Sequence, residues 1–211
     1  MKCNFGTVVV VAGFAGILSF SFLAAAIGSE YWYIIEVNKP NQTDTEDLNS
    51  HSGLWRTYEG KNGSSHDFYP FSDSTNYTET ERRLLGMHRV IVILLPLSLV
   101  LLVFGGICGL VSSLAQSHAL LTVTASYFLL CSLLTLSGVS LYISYSHQAL
   151  EEIKRQVGAE QLAGVQVCFG WSLGVAVLSF SLEVITGALL LLAGRMARLQ
   201  QSSTICTAVV A

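Results

Sequence analysis

Charge is what this chain has least of. Only 12% of its 211 residues are Asp, Glu, Lys or Arg, where soluble domains carry about a quarter. Meanwhile 52% are hydrophobic and the mean hydropathy is +0.56. The shortage is concentrated in runs. No charged residue occurs from Cys3 to Ser29, none from Val90 to Leu150, and from Gln161 to Gly194 only Glu183 breaks the pattern. Such a distribution excludes an ordinary soluble domain and implies a membrane protein, with the lipid bilayer as its first partner. Other absences exclude chemistry. His51, His66, His88, His118 and His147 show no helical metal pairing and no cysteine at zinc spacing. Gly105-Gly106-Ile107-Cys108-Gly109 lies inside an apolar run, not at a strand-to-helix turn, so it is no phosphate loop. There is no basic patch for nucleic acid. No enzyme, cofactor, metal or nucleic-acid partner is expected.

A spanning helix needs about 20 apolar residues. The charge-free run from Val90 to Leu150 is too long for one span and must fold back, and Gln116, Ser117 and His118 are its only polar hinge. Four helices are expected, over residues 7–27, 90–114, 119–145 and 167–194. They bracket a long loop at 29–89, a short one at 146–166 and a tail at 195–211. The first run has features of a cleaved signal, with Lys2 ahead and Ala24-Ala25-Ala26 behind, but it exceeds the usual 7 to 15 apolar residues. A retained helix is expected, and either reading keeps the long loop on one side.

Two rules disagree about that side. Lys39, Arg56, Lys61, Arg82, Arg83 and Arg89 in the long loop and Lys154 and Arg155 in the short one outnumber Lys2, Arg195 and Arg198, which by the positive-inside rule would put the loops inside. Against this, the sequons Asn41-Gln42-Thr43, Asn62-Gly63-Ser64 and Asn76-Tyr77-Thr78 all fall in the long loop, and glycosylation acceptors belong to the luminal side. The loop also reaches the length beyond which charge ceases to orient a segment. The expected topology has both loops outside, both termini cytosolic, and glycans on Asn41, Asn62 and Asn76.

Within the long loop, Tyr31 to Val37 is aromatic and β-branched, a strand signature. A second strand is expected over Gly53 to Glu59, ended by Gly60 and the Asn62-Gly63 pair. Two strands alone are marginal in water, so the apolar knot Gly53-Leu54-Trp55 reads as a small core or an anchor at the membrane boundary, with Trp55 as its largest group.

That knot, with Trp32 about twenty residues upstream, four helices, a long first loop and a short second one, resembles the claudin superfamily. The superfamily includes the peripheral myelin and epithelial membrane proteins and the calcium-channel gamma and AMPA-receptor auxiliary subunits. The stretches AAAIGSEYWYIIEV, SHSGLWR, LLPLSLVLLVFGGICG, SGVSLYISYSH and FGWSL are similar to a small orphan subgroup, transmembrane proteins 114 and 235. The resemblance covers nearly the whole chain as a single domain and implies a four-helix transmembrane bundle with a small extracellular antiparallel β-sheet. Relatives continue the motif as Trp-x-x-Cys with a second Cys further on; those places hold Tyr58 and, by the subgroup's spacing, Ser64. No cysteine occurs between Ser29 and Arg89, so a staple typically worth about 2–4 kcal/mol is absent, and a glycan on Asn62 would stand beside the second position.

Small residues recur four apart at Ala12/Gly16, Gly105/Gly109 and Gly170/Gly174, which lets helices approach in lipid. Glu183 is the single ionisable residue well inside a span, where an acid is costly and turns inward. It reads either as a structural clasp to hydroxyls such as Thr135 or Ser137, or as a site for an ion or a partner helix. Cys3 and Cys206, near the cytosolic face, are candidates for palmitoylation. The implied function is a non-enzymatic plasma-membrane glycoprotein of cell-cell contact or membrane organisation, at cell junctions or elsewhere, associating with itself or another membrane protein in cis or in trans. The alternative is an auxiliary subunit of an ion channel or receptor. The ending Val-Val-Ala differs from the Tyr-Val end of many claudins and weighs against scaffold binding.

Overall fold

A computed structural model of the chain describes residues 4–37, 50–59, 64–67, 79–157 and 165–210. In chain order the elements are α1 (Phe5–Gly28), β1 (Tyr33–Val37), β2 (Ser50–Ser52), β3 (Arg56–Glu59), β4 (Ser64–Asp67), α2 (Glu79–Ala115), α3 (His118–Val157), β5 (Val165–Phe169) and α4 (Trp171–Val210). All four helices are long and apolar enough to cross a membrane. In hydrocarbon a helix satisfies its own backbone groups, so apolar runs of this length have little alternative. The protein is a multi-pass membrane protein.

Three helices outrun the apolar stretches that announce them, and α4, with 40 residues, runs on to Val210 through most of the expected tail. At about 1.5 Å per residue, α2 with 37 residues and α3 with 40 far exceed a hydrocarbon core of about 30 Å. α2 begins at Glu79 rather than near residue 90, with Glu79 and Glu81 in its first turn, where carboxylates favour the positive helix end. α3 continues to Val157 through much of what the sequence reads as a short loop. The fourth helix starts at Trp171, not near residue 167: residues 165–169 form β5, because their hydrogen bonds go to β1 along its whole length.

The contacts group the chain into two compact units. One comprises Met1–Leu23, Leu97–Leu136 and Leu178–Ala211; the other comprises Ala24–Pro96 and Ser137–Val177. In the first, α2 and α3 turn about Gln116, which adopts a left-handed conformation (φ 47°) at a cost of roughly 1–2 kcal/mol. The Ser112 and Thr124 hydroxyls, 2.8 Å apart, and the Tyr127 hydroxyl donating to the Leu101 carbonyl at 2.9 Å tie the two arms. Ala12, Leu23, Leu121, Ala125 and Ala193 are buried in this unit.

The second unit carries the sheet, ordered β4-β3-β2-β1-β5 and antiparallel throughout. Four strands come from the long loop and the fifth from the short one. β1 lies between β2 and the edge strand β5, pairing Ile34 with His51 of β2 on one side and with Cys168 of β5 on the other. The second strand expected from the sequence over Gly53 to Glu59 is shortened to β3: β2 precedes it as the other arm of a hairpin, and Gly53, Leu54 and Trp55 are the bend between them. The Gly53 N–H donates to the Arg56 carbonyl at 2.8 Å to close it. Trp32, Leu54, Ile91, Leu95 and Tyr142 are buried here.

Candidate functional site

The last carbonyls of a helix have no donor within it, and α1 delivers its own to the root of the sheet. Two indoles meet them. Trp32 Nε1–H donates to the Ala26 carbonyl at 2.8 Å and Trp55 Nε1–H to the Ile27 carbonyl at 3.0 Å. Ser29 adds a hydroxyl bond to Ala26 at 2.9 Å. Tryptophan suits this task because it brings a large apolar body and one donor to the same point. The two rings nevertheless differ. Trp32 is fully buried, its ring 4.7 Å from that of Tyr142, whereas Trp55 is 43% exposed. The anchor expected of Trp55 is therefore shared: Trp32 and Leu54 supply the buried bulk, and Trp55 contributes chiefly its hydrogen bond.

The bend that holds Trp55 is fixed from three sides. A Cβ on Gly53 would lie 2.7 Å from Glu30 Cα, closer than van der Waals contact allows, so the backbone approach needs glycine. Leu54 turns inward. Its carbonyl can only accept, so the buried His88 Nε2, at 3.1 Å, carries the hydrogen, and His88 packs against Tyr145 with ring centroids 5.4 Å apart. From the far end of the chain, the Gly170 N–H donates to the Trp32 carbonyl at 3.0 Å and the Ser172 N–H to the Tyr31 carbonyl at 3.3 Å. The junction thus gathers the end of α1, the Gly53-Leu54-Trp55 bend, His88 of α2 and the β5–α4 link. Burial, with the Tyr145 phenol adding to it, pushes the nearby Tyr33 phenol above its ordinary range, so it stays neutral. Sequence reasoning named His88 only as lacking metal spacing and Tyr142 only as part of an aromatic belt, because spacing along a helix does not reveal which side chain meets a distant bend. It placed Gly170 in a helical small-residue pair, but Gly170 precedes α4 and serves a backbone crossing.

On the sheet itself, Tyr31, His51 and Tyr58 form a stacked column. Tyr31 and His51 lie 4.6 Å apart at 10°, and His51 and Tyr58 lie 5.1 Å apart at 13°. Trp171 approaches Tyr31 at 6.5 Å. Tyr31, Tyr58 and Trp171 are all exposed. Tyr58 occupies the first of the two places where the resemblance puts cysteine, but the register corrects the second: Tyr58 pairs with Ser65, and Ser64 with Glu59. A one-residue offset carries a position to the other face of a sheet, so positions 58 and 64 do not oppose each other. Tyr58→Cys with Ser65→Cys is expected to form a disulfide, since directly opposed residues lie about 4.5–5.5 Å apart, within the 4.4–6.8 Å a bridge needs. Tyr58→Cys with Ser64→Cys is expected to stay reduced. Non-reducing mass spectrometry of loop peptides decides between them, and the 58/65 pair has the further merit of leaving the Asn62 sequon intact.

Glu183 lies apart from this junction, in the first unit, and is fully buried. Thr135 Oγ1 is 3.0 and 3.1 Å from its two carboxyl oxygens and 3.3 Å from the Cys131 carbonyl. Ser179 Oγ is 3.5 Å from Glu183 Oε1 but only 2.8 Å from the Ser19 carbonyl, to which it donates, and Ser19 returns a bond to the Ser179 carbonyl at 3.1 Å. Thr135 and Ser179 have one hydroxyl hydrogen each. Thr135 donates to the carboxyl group and Ser179 to the Ser19 carbonyl, so hydroxyls around the acid join α1, α3 and α4. Of the two hydroxyls considered from the sequence, Thr135 makes the contact. Glu183→Gln is expected to change stability by no more than about 0.6 kcal/mol, the average for a hydrogen bond between membrane helices. Glu183→Ala is expected to cost about 1–3 kcal/mol, read by thermal unfolding in detergent.

Asn41, Asn62, Asn76 and Cys3 lie outside the described residues, as does the side chain of Cys206, whose backbone belongs to α4. Among the described residues no three His, Cys, Asp or Glu side chains gather as a metal site.

A family model described as PMP-22/EMP/MP20/Claudin tight junction matches residues 17–192. Among curated proteins, the chain is similar to the voltage-dependent calcium channel gamma-3 subunits of Rattus norvegicus, Bos taurus and Homo sapiens. Each is 28% identical over 155 residues, covering 67% of this chain and 49% of the relative. The chain spans about half the length of the curated relatives it matches.

Proposed function

Because this chain belongs to the PMP-22/EMP/MP20/claudin family, we propose that it is a non-enzymatic auxiliary subunit, setting the trafficking or gating of an ion channel or receptor by lateral association within the membrane. The observation that carries this reading is the similarity to proteins named as calcium-channel subunits, which extends over 155 residues and so includes helices as well as loops. The absence of cysteine between Ser29 and Arg89 points the same way, since an unstapled loop bearing sequons suits a lateral partner better than a tightly packed junctional strand. A second reading, cell-cell contact or membrane organisation in cis or in trans, draws on the exposed column of Tyr31, His51 and Tyr58. In both, the protein is a plasma-membrane glycoprotein with its loops outside and its termini cytosolic, acylated at Cys3 and Cys206, and affiliated with the transmembrane protein 114 and 235 subgroup.

Proximity labelling from the long loop in living cells, followed by mass spectrometry, tests the choice. Enrichment of pore-forming channel or receptor subunits of the same cell is the expected result. Enrichment of surface proteins from neighbouring cells in a mixed culture would replace it with the contact reading. Topology has its own test. Glycosidase should shift the mobility of the wild type, and Asn41→Gln, Asn62→Gln and Asn76→Gln together should abolish the shift. Identical migration of the triple variant and untreated wild type would remove the basis for placing the loop outside.

A further inference from the structure

Among the described histidines only His88 is buried. It sits in α2 just ahead of the charge-free run that begins at Val90, on the part of the helix that meets the sheet. We propose that His88 is a proton-operated latch: a proton taken up by its ring releases the Gly53-Leu54-Trp55 bend from α2. Two bonds tie that bend to the helices, Trp55 Nε1–H to the Ile27 carbonyl of α1 at 3.0 Å and His88 Nε2–H to the Leu54 carbonyl at 3.1 Å. Of the two donors, only the imidazole titrates near neutral pH.

A neutral ring that donates through Nε2 takes its next proton at Nδ1. The bond to Leu54 survives that change, but the burial does not. An ion removed from water is tolerated only where an opposite charge meets it, and the described neighbours are neutral or already paired. From α3 come Tyr145, its ring 5.4 Å from that of His88, and Tyr142 behind it at 6.2 Å; phenols stay neutral well below their ordinary pKa of about 10. Tyr142 packs in turn on Trp32 at 4.7 Å, so the imidazole belongs to the aromatic centre of the junction. From the bend come the buried Leu54 and, two residues on, Arg56, which lies 4.0 Å from Glu30 with both side chains accessible to solvent. Arg89, next along α2, is itself a cation. Swinging the bend away lets water reach the charged ring.

In the closed state the ring is neutral, whereas in the open state it titrates as an ordinary histidine, near pH 6.5. The closed state is therefore fully favoured above that pH and loses ground as the pH falls below it, with one proton bound per opening. From pH 7 to pH 5 the ratio of open to closed rises about 25-fold.

The test is hydrogen–deuterium exchange of the full chain in phosphatidylcholine nanodiscs, read on the peptide from Ser50 to Glu59 and corrected for the intrinsic pH dependence of amide exchange. Wild-type protection there should be constant above about pH 7 and about 25-fold lower at pH 5. His88→Gln brings an amide N–H to the place of Nε2 and gains no proton, so its protection should change less than about twofold over the same range. His51→Gln removes the titrating ring of β2 and should respond like the wild type. If His88→Gln does not fold, the wild-type titration still decides, because one proton per opening requires a loss of about tenfold per pH unit below about pH 6. Protection indifferent to pH, a slope other than one proton, a response that His88→Gln keeps, or one that His51→Gln abolishes would overturn the proposal.

Discussion

Trp32→Ala is expected to destabilise the protein by about 3–5 kcal/mol, the range for truncating a buried large aromatic, and to hold it in the secretory pathway. Trp32 is fully buried against Tyr142, so the loss combines a cavity with one of the two donors to the Ala26 carbonyl, Ser29 keeping the other. Trp32→Phe separates the two: it keeps most of the ring and forfeits the 2.8 Å bond, at about 0.5–1.5 kcal/mol, because Ser29 still donates to the Ala26 carbonyl. Trp55→Ala should be milder, because that ring is partly exposed and leaves mainly the Ile27 carbonyl without its partner. Thermal unfolding in detergent ranks the three variants, and surface biotinylation reports their delivery. A Trp55→Ala cost equal to that of Trp32→Ala would mean that the burial difference between the two rings has no energetic meaning.

Gly170→Ala is expected to be comparably severe from the addition of one methyl group. The new Cβ would overlap the Tyr31 carbonyl oxygen and carbon, which are backbone atoms held by the bonds of Gly170 to Trp32 and of Ser172 to Tyr31. Overpacking a core typically costs about 1–3 kcal/mol and occasionally more; with no flexible side chain to yield, the upper end is expected. Gly174→Ala is the control four residues on. Its Cβ meets nothing within 4 Å, and alanine is favoured over glycine in a helix by roughly 0.5–1 kcal/mol, so it should be neutral or stabilising. Equal tolerance of both substitutions in an unfolding assay would show that the β5–α4 link is not the tight crossing described.

The positions of the spans were legible because a charge-free run has one stable form in lipid. The Thr135 contact was legible for a related reason: a lone buried acid must find a hydroxyl, and few were within reach of Glu183. Legibility failed where polarity and backbone geometry part company. The segment from Glu79 to Arg89 is charged, so hydropathy could not include it, yet it is the first part of α2 and carries the buried His88. Val165 to Phe169 looks as apolar as the helix after it, and only its pairing with β1 makes it a strand. Gly53, Leu54 and Trp55 read as a strand entrance because Trp55, Thr57 and Tyr58 favour strands; the Glu30 backbone beside Gly53, invisible in sequence, turns them into a bend. The same limit moved the partner of Tyr58 by one residue, since register depends on the hairpin and not on spacing borrowed from relatives.

The place of β1 between β2 and β5 also sets an order of events during synthesis. β2 begins at Ser50, soon after β1 ends at Val37, but the opposite edge of β1 is completed only by Val165–Phe169, after α2 and α3 have been made. Until then Tyr33 to Val37 presents a row of unpaired backbone groups along one edge, and an open edge of this kind recruits other chains. Trp32 likewise waits for Gly170 to occupy its carbonyl. A nascent chain halted before residue 165 therefore carries a sheet with a sticky side, and the fourth helix, by drawing β5 into place, is the step that makes the first loop safe to release.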